Sequence, residues 1–208
     1  MIIFNLNKIV LLISLFILSQ LSYSQSYFKT KFSSYNTSYN GKTYDLEIYG
    51  NNENYVITMG LMSYDIYNNQ GYLQLGNNQH HEFVKVLMQA KQKYEEWMER
   101  IKQITQKESI ESLEIPFESK ISFRIGARWR FTDDIKLTWS LIKNNEENPE
   151  YLLRISTGKI HNAYNKSETH SGFGIVFNST NEIQALLDEL TDEKIKAALN
   201  TRKLLHGN

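Results

Sequence analysis

Apolar and polar positions alternate most regularly in Ile121-Ser-Phe-Arg-Ile-Gly-Ala-Arg-Trp-Arg-Phe131, where every odd position is apolar and every even one polar or Gly. A period of two predicts a half-buried strand. Asp133-Asp134 reads as a turn, and Ile135, Leu137, Trp139 and Leu141 continue the alternation, so two antiparallel strands are expected. Tyr151 to Ser156 and Gly172 to Phe177 supply two more strands. Ser179 and Glu182 then form a capping box, opening a helix whose apolar face is Ile183, Leu187 and Leu190. Thr191-Asp192-Glu193 starts a second helix, with Ile195 and Leu199 inward.

The first half follows the same order. Thr43 to Tyr49 places Tyr44, Leu46 and Ile48 on one side, Tyr55 to Tyr67 holds one or two strands, and Tyr72 to Leu75 is short and apolar. From Asn78 to Lys107 the residues Phe83, Leu87, Tyr94, Trp97, Ile101 and Ile104 recur at helical spacing. A helix of about thirty residues spans about 45 Å, longer than one small sheet is wide, so its far end is expected to project toward a partner. Glu108 to Glu118, carrying Pro116, reads as the linker between halves 43–107 and 119–208. Gly71-Tyr-Leu-Gln-Leu-Gly-Asn77 and Gly172-Phe-Gly-Ile-Val-Phe-Asn178 occupy matching places, each a strand leading into a helix. The expected fold class is α+β: antiparallel sheet covered by helices, arranged as a duplicated β-meander-plus-helix unit. In element order alone this is similar in outline to PUR-type and Whirly-type nucleic-acid-binding proteins.

The N-terminus changes the picture of where the chain works. Met1 to Ser24 has a positive charge at Lys8, an apolar run Ile9 to Leu18 and a polar exit ending in Ser22 and Ser24. The apolar run is about ten residues, half of what a permanent membrane helix needs. It is read as a signal peptide cleaved before Gln25, leaving no stable membrane span and placing the protein in the periplasm or outside the cell. Gln25 to Lys42, rich in Ser, Asn, Tyr and Thr, is expected to be loosely held. Cysteine is absent, so neither disulfides nor a lipid-attachment residue are expected. The leader removes one of 23 basic residues and none of 23 acidic ones, leaving a net charge of −1. That balance, together with export, argues against nucleic acid as a partner.

Candidate chemistry is sparse. Arg124, Arg128 and Arg130 fall on the polar side of the alternating stretch, and Lys136 and Arg154 are placed to join them. Guanidinium groups on a rigid sheet grip carboxylate, sulfate or phosphate bidentately. Asp45 and Glu47 are the expected ion-pair partners if these arginines are only a solvated surface. His80 and His81 diverge by about 100° on a helix, so the neighbouring pair is read as solvated polar residues and no metal site is expected. His161 and His170 flank a loop and converge only if it closes a hairpin. There is no G-x-S-x-G elbow, P-loop or dinucleotide fingerprint, and no cofactor is implied. Tyrosines are dense from Tyr23 to Tyr72, a composition suited to a glycan or protein surface. The expected function is a non-enzymatic, exported binding or interaction protein with a protein or glycan partner. The alternatives are a hydrolase of envelope or extracellular polymers, its catalytic residues unknown, and a module binding anionic polymers through the arginines.

Overall fold

The computed structural model describes residues 29–65, 69–105, 108–144 and 147–206. The expected signal peptide and Tyr67 lie outside the described residues. In chain order the elements are β1 (Thr30–Thr37), β2 (Lys42–Gly50), β3 (Tyr55–Ser63), β4 (Gly71–Gly76), α1 (Asn77–Ile101), β5 (Ser109–Leu113), β6 (Glu118–Ile125), β7 (Arg128–Phe131), β8 (Ile135–Lys136), β9 (Thr138–Asn144), β10 (Glu150–Ser156), β11 (Ile160–Asn162), β12 (Asn165–His170), β13 (Phe173–Phe177), α2 (Thr180–Glu189) and α3 (Asp192–His206).

All strand pairs are antiparallel, and eleven strands join in a half-barrel whose main path runs β5-β9-β10-β13-β3-β4-β6-β7. The fold is α+β, as the alternation and helical spacing predict. The meander-plus-helix order occurs twice, as β2-β3-β4-α1 and as β9-β10-β13-α2, with the β11–β12 hairpin inserted in the second. Two strands share an edge between two neighbours. The start of β3 pairs with β2 and its end with β13, while β6 pairs with β8 at its start and β7 at its end.

The inner face carries one continuous core. Leu46, Ile48, Ile57, Met59, Leu73, Leu75, Ile121 and Phe123 from the sheet meet Phe83, Leu87, Tyr94 and Trp97 of α1 and Ile183 and Leu186 of α2. Burying a large apolar side chain is worth about 1.5–3 kcal/mol, which holds the helices on this face. Ser179 caps α2 by accepting from Glu182 N (3.3 Å), and Glu182 accepts from Asn178 N (2.8 Å). Ser179 therefore caps the helix as expected, but Glu182 closes on Asn178 N instead of Ser179 N, and its other oxygen accepts from Ser38 N (2.8 Å), tying the β1–β2 turn to α2.

Four expectations about segments change. Residues 25–42 include β1, whose Tyr35 is buried and donates to Gly60 O (2.5 Å); pairing with β2 overrides the polar composition. Residues 108–118 are no linker, because β5 adds an edge strand to β9 and Ile115 and Phe117 enter the core. Helix α1 has 25 residues, about 38 Å, and is covered to its last turn by burial of Trp97 and Ile101. Buried Lys143 donates to Ile104 O (2.7 Å), placing a cation at that helix end. The fourth change concerns Ile121–Phe131. It is a hairpin: β6 ends at Ile125, Gly126-Ala127 turns, and β7 returns with Ile125 opposite Arg128 and Arg124 opposite Trp129.

Gly126 sits at φ 57°, the left-handed region that costs an L-residue about 1–2 kcal/mol, with open space within 4 Å of a Cβ. Gly126→Ala is therefore expected to destabilise the fold by about 1 kcal/mol through the backbone alone, read by urea denaturation. An unchanged midpoint would mean the turn is not held in that conformation in solution.

Candidate functional site

A two-residue turn reverses which face the odd and even residues occupy. On β6 the odd residues Ile121 and Phe123 enter the core, whereas on β7 the odd residues Trp129 and Phe131 stand opposite Arg124 and Ser122 on the outer face. Both are 43% exposed although the alternation places them inside. The register continues across the sheet, with Tyr72 of β4 opposite Ser122 and Gln74 opposite Lys120. Tyr72, Ser122 and Phe131 thus form a row across three strands, and Trp129 stands one step along it. The Tyr72 and Trp129 ring centroids are 5.7 Å apart at 50°. Lys29 Nζ lies 4.8 Å from the Tyr72 ring centroid and 3.4 Å from Glu47 Oε2. Burial, then the carboxylates of Glu47 and Asp45, push the Tyr72 phenol above its ordinary range and keep it a neutral donor.

Polar groups frame the aromatic row. Gln74 is half-buried, and Lys120 and Arg124 are exposed. Ser122 is buried, and its Oγ has no partner among the described residues. An unpaired buried hydroxyl costs about 1–3 kcal/mol, and most such groups in native proteins are satisfied. The arrangement presents flat apolar rings with hydrogen-bonding groups beside them, which suits a ligand with apolar faces and polar edges.

The hairpin separates the three predicted arginines. Arg124 shares the outer face with Trp129, while Arg128 and Arg130 stand on the opposite face, opposite Ile125 and Phe123. Arg130 makes a bidentate pair with Glu168 of β12 through Nε and Nη2, and Asn162 donates to Glu168 Oε2 (2.8 Å). Arg128 adds to the field that favours the Glu168 carboxylate. Lys166 pairs with Asp133 (2.8 Å), and Ala163 N donates to Phe131 O (2.7 Å). Arg130 thus anchors the β11–β12 hairpin against β7. The turn of that hairpin carries Tyr164, 87% exposed, next in sequence to the Ala163 that bonds the edge of β7. Asp45 and Glu47 are not the arginines' partners; they pair with Lys31 (2.6 Å) and Lys29. Lys136 lies opposite Glu118 at the far end of β6, and Arg154 is on β10, beside Tyr64 and four strands along the sheet path from β6.

The histidines also depart from expectation. His80 is buried rather than solvated. Between His161 and His170 the loop does close a hairpin, but Ile160 is opposite His170 and His161 opposite Thr169, so the two imidazoles face opposite ways. His170 is buried and stacked on Phe173 (4.1 Å, 6°). Its Nε2 lies 3.4 Å from Ser63 Oγ and 3.7 Å from Asp65 Oδ2, a trio that resembles a nucleophile, base and orienting acid. The resemblance fails on the protons. Gly172 N donates to Nδ1 (3.0 Å), so in the neutral ring the proton sits on Nε2, and the nitrogen facing serine has no lone pair to accept from it. The trio ties β3 to β12 and activates no hydroxyl. Much of the tyrosine-rich stretch is likewise structural: Tyr35 and Tyr55 are buried, and Tyr35 stacks on Tyr44 at 5.4 Å.

Acid should loosen the hairpin in two stages. Burial holds His170 below its ordinary value of 6.5, so the folded chain favours the neutral ring; that stability is complete above pH 6.5 and is lost as pH falls toward the depressed value. Arg130, then Asn162, hold the Glu168 carboxyl below 4.5, so its contribution disappears as pH falls below that value. Thermal unfolding from pH 7.5 to 3 should show both declines, with the second reduced in Arg130→Ala; an equal second decline in both proteins would separate Glu168 from Arg130. Compared with protein-family models, curated proteins and solved structures, the chain matches none, so its functional reading rests on its own residues.

Proposed function

We propose that this is an exported, non-enzymatic binding protein whose site is the outer face of β4, β6 and β7, and that its ligand is a glycan. The observation that carries the reading is the position of Trp129 and Phe131, large apolar side chains on the solvent side of a sheet that has a filled core on its other side. Contiguous exposed apolar surface rimmed by polar groups marks interaction sites. A pyranose ring offers an apolar C–H face to stack on Trp129 and Tyr72, and hydroxyls at its rim to meet Gln74, Lys120 and Arg124. The rings cost little entropy to immobilise, since each has only two side-chain torsions.

Export follows from the three-part reading of Met1 to Ser24, and a glycan is a ligand that a protein outside the cytoplasm meets. Lys120 and Arg124 beside the rings leave room for an acidic sugar, which is the form the anionic-polymer alternative takes on this face. The hydrolase alternative gains nothing from the Ser63, His170 and Asp65 trio, whose proton arrangement opposes it.

Binding of the full chain to neutral and acidic polysaccharides at low and high salt tests the reading. Truncating an aromatic anchor at a binding site costs about 2 kcal/mol, about thirtyfold in affinity. Trp129→Ala and Tyr72→Ala are expected to show losses of that order while the melting temperature stays near that of the parent, since both rings are partly exposed. Salt-insensitive loss would fit ring stacking on a neutral sugar. Salt-sensitive binding lost in Lys120→Gln/Arg124→Gln would place the specificity in acidic groups. Unchanged affinity in Trp129→Ala and Tyr72→Ala would sink the proposal.

A further inference from the structure

On the helix-covered side of the sheet, where the first turn of α1 meets the first turn of α3, four polar side chains converge at the surface. One nitrogen from each of His80 and His81 and one oxygen of Asp192 lie within 4.8 Å of one another. Tyr55 of β3 completes the group, its hydroxyl 2.9 Å from His80 Nδ1. The two ring centroids are 4.8 Å apart at 47°, so these neighbouring imidazoles tilt toward one region instead of diverging into solvent.

Hydrogen bonds fix the orientation of both rings. His80 Nε2 lies 2.7 Å from Leu190 O, an acceptor only, so Nε2 carries the proton and Nδ1 presents a lone pair. His81 Nδ1 lies 2.8 Å from Asn77 O, so its proton is on Nδ1 and Nε2 presents the lone pair. That lone pair faces Asp192 Oδ1 at 3.1 Å. A nitrogen lone pair and a carboxylate oxygen repel at this distance unless a proton or a cation stands between them. Donation of the remote N–H to a backbone carbonyl is also how metal-binding histidines are oriented, because it fixes the tautomer and makes the other nitrogen more basic.

We propose that His80, His81 and Asp192, with the Tyr55 oxygen beside them, bind a zinc-class divalent cation. Two imidazoles and a carboxylate are donors such an ion accepts, with ligand distances of about 2.0–2.2 Å. Tetrahedral geometry then needs the donors about 3.4 Å apart, so His81 Nε2 and Asp192 Oδ1, now at 3.1 Å, open slightly while the wider separations, all within 4.8 Å, close. The two partners that must move are the exposed ones, since the side chains of His81 and Asp192 are 52% and 60% exposed, whereas His80 is fixed in the core. Ligand access is open, through a cavity of about 370 Å³ lined by Asn52, Tyr55, Asn77, His81, Asp192 and Lys196, among others. The Tyr55 hydroxyl now donates to His80 Nδ1; on binding it turns that proton outward and leaves its oxygen, or a water, for the fourth position. The ion would pin α1, α3 and β3 together, so it acts on stability as well as on chemistry.

The test titrates the untagged full chain, stripped with a chelator, with Co²⁺ and then Zn²⁺. A single equivalent of Co²⁺ should give visible bands of four-coordinate intensity that Zn²⁺ displaces, and Zn²⁺ should raise the melting temperature. His81→Gln and Asp192→Asn, both at exposed positions, are expected to bind at least about tenfold more weakly while unfolding near the parent temperature without metal. His161→Gln, an exposed imidazole on the hairpin, should bind as the parent does. Absence of saturable binding, or parental affinity in both His81→Gln and Asp192→Asn, would overturn the proposal and leave His81 and Asp192 as an ion pair.

Discussion

The turn at Gly126-Ala127 decides what the outer face of this protein is made of. A two-residue connection places Ile125 opposite Arg128, so every side chain after it changes face relative to a straight strand. Trp129 and Phe131 go out to solvent, and Arg130 goes to the side where Glu168 waits. A straight strand would have packed those two rings into the core and left all three arginines outside. The turn depends on a residue that tolerates the left-handed region, which Gly126 supplies.

That reversal also explains why an inserted hairpin sits where it does. β7 is an end strand of the sheet path, with backbone groups facing outward. The β11–β12 hairpin covers part of that edge through Ala163 N to Phe131 O, and Arg130–Glu168 and Lys166–Asp133 hold it there. His170 anchors the hairpin's base in the core by stacking on Phe173. Charge pairs at one end and an aromatic stack at the other therefore hold the turn that carries Tyr164.

Helices and central strands were legible because their signals are local. Ser179 with Glu182, the spacing of Phe83, Leu87, Tyr94 and Trp97, and the alternation around Leu46 and Ile48 each follow from burial on one face. Edge elements were not legible. β1, β5 and the β11–β12 pair are polar or short, and long-range pairing rather than composition makes them strands. The aromatic face was hidden for a sharper reason: Ile121 to Phe131 alternates without a break through the turn, so only the unusual Gly126 hinted that the period had been reset. A reader attending to Gly126-Ala127 as a hairpin loop would have moved Trp129 and Phe131 outward at once. For His80 and His81 helical geometry alone omits what Leu190, Asp192 and Tyr55 bring from elsewhere in the chain.

The absence of cysteine gives the His80 cluster its chemical character. Without thiolates, the chain has imidazole, carboxylate and phenol to offer a borderline cation. Such a set binds less tightly than a thiolate cage, and closure here falls to two exposed side chains, so occupancy should follow the level of free metal around the protein more than a structural zinc would. The cluster lies beside α1 and α3, whereas the aromatic face lies across the sheet on β4, β6 and β7. Between them stands the core packed by Leu73, Leu75 and Phe83. A filled core transmits a shift only if it has a second packing to adopt, so the two sites are expected to act independently, one on the cohesion of the helices and the other on the ligand.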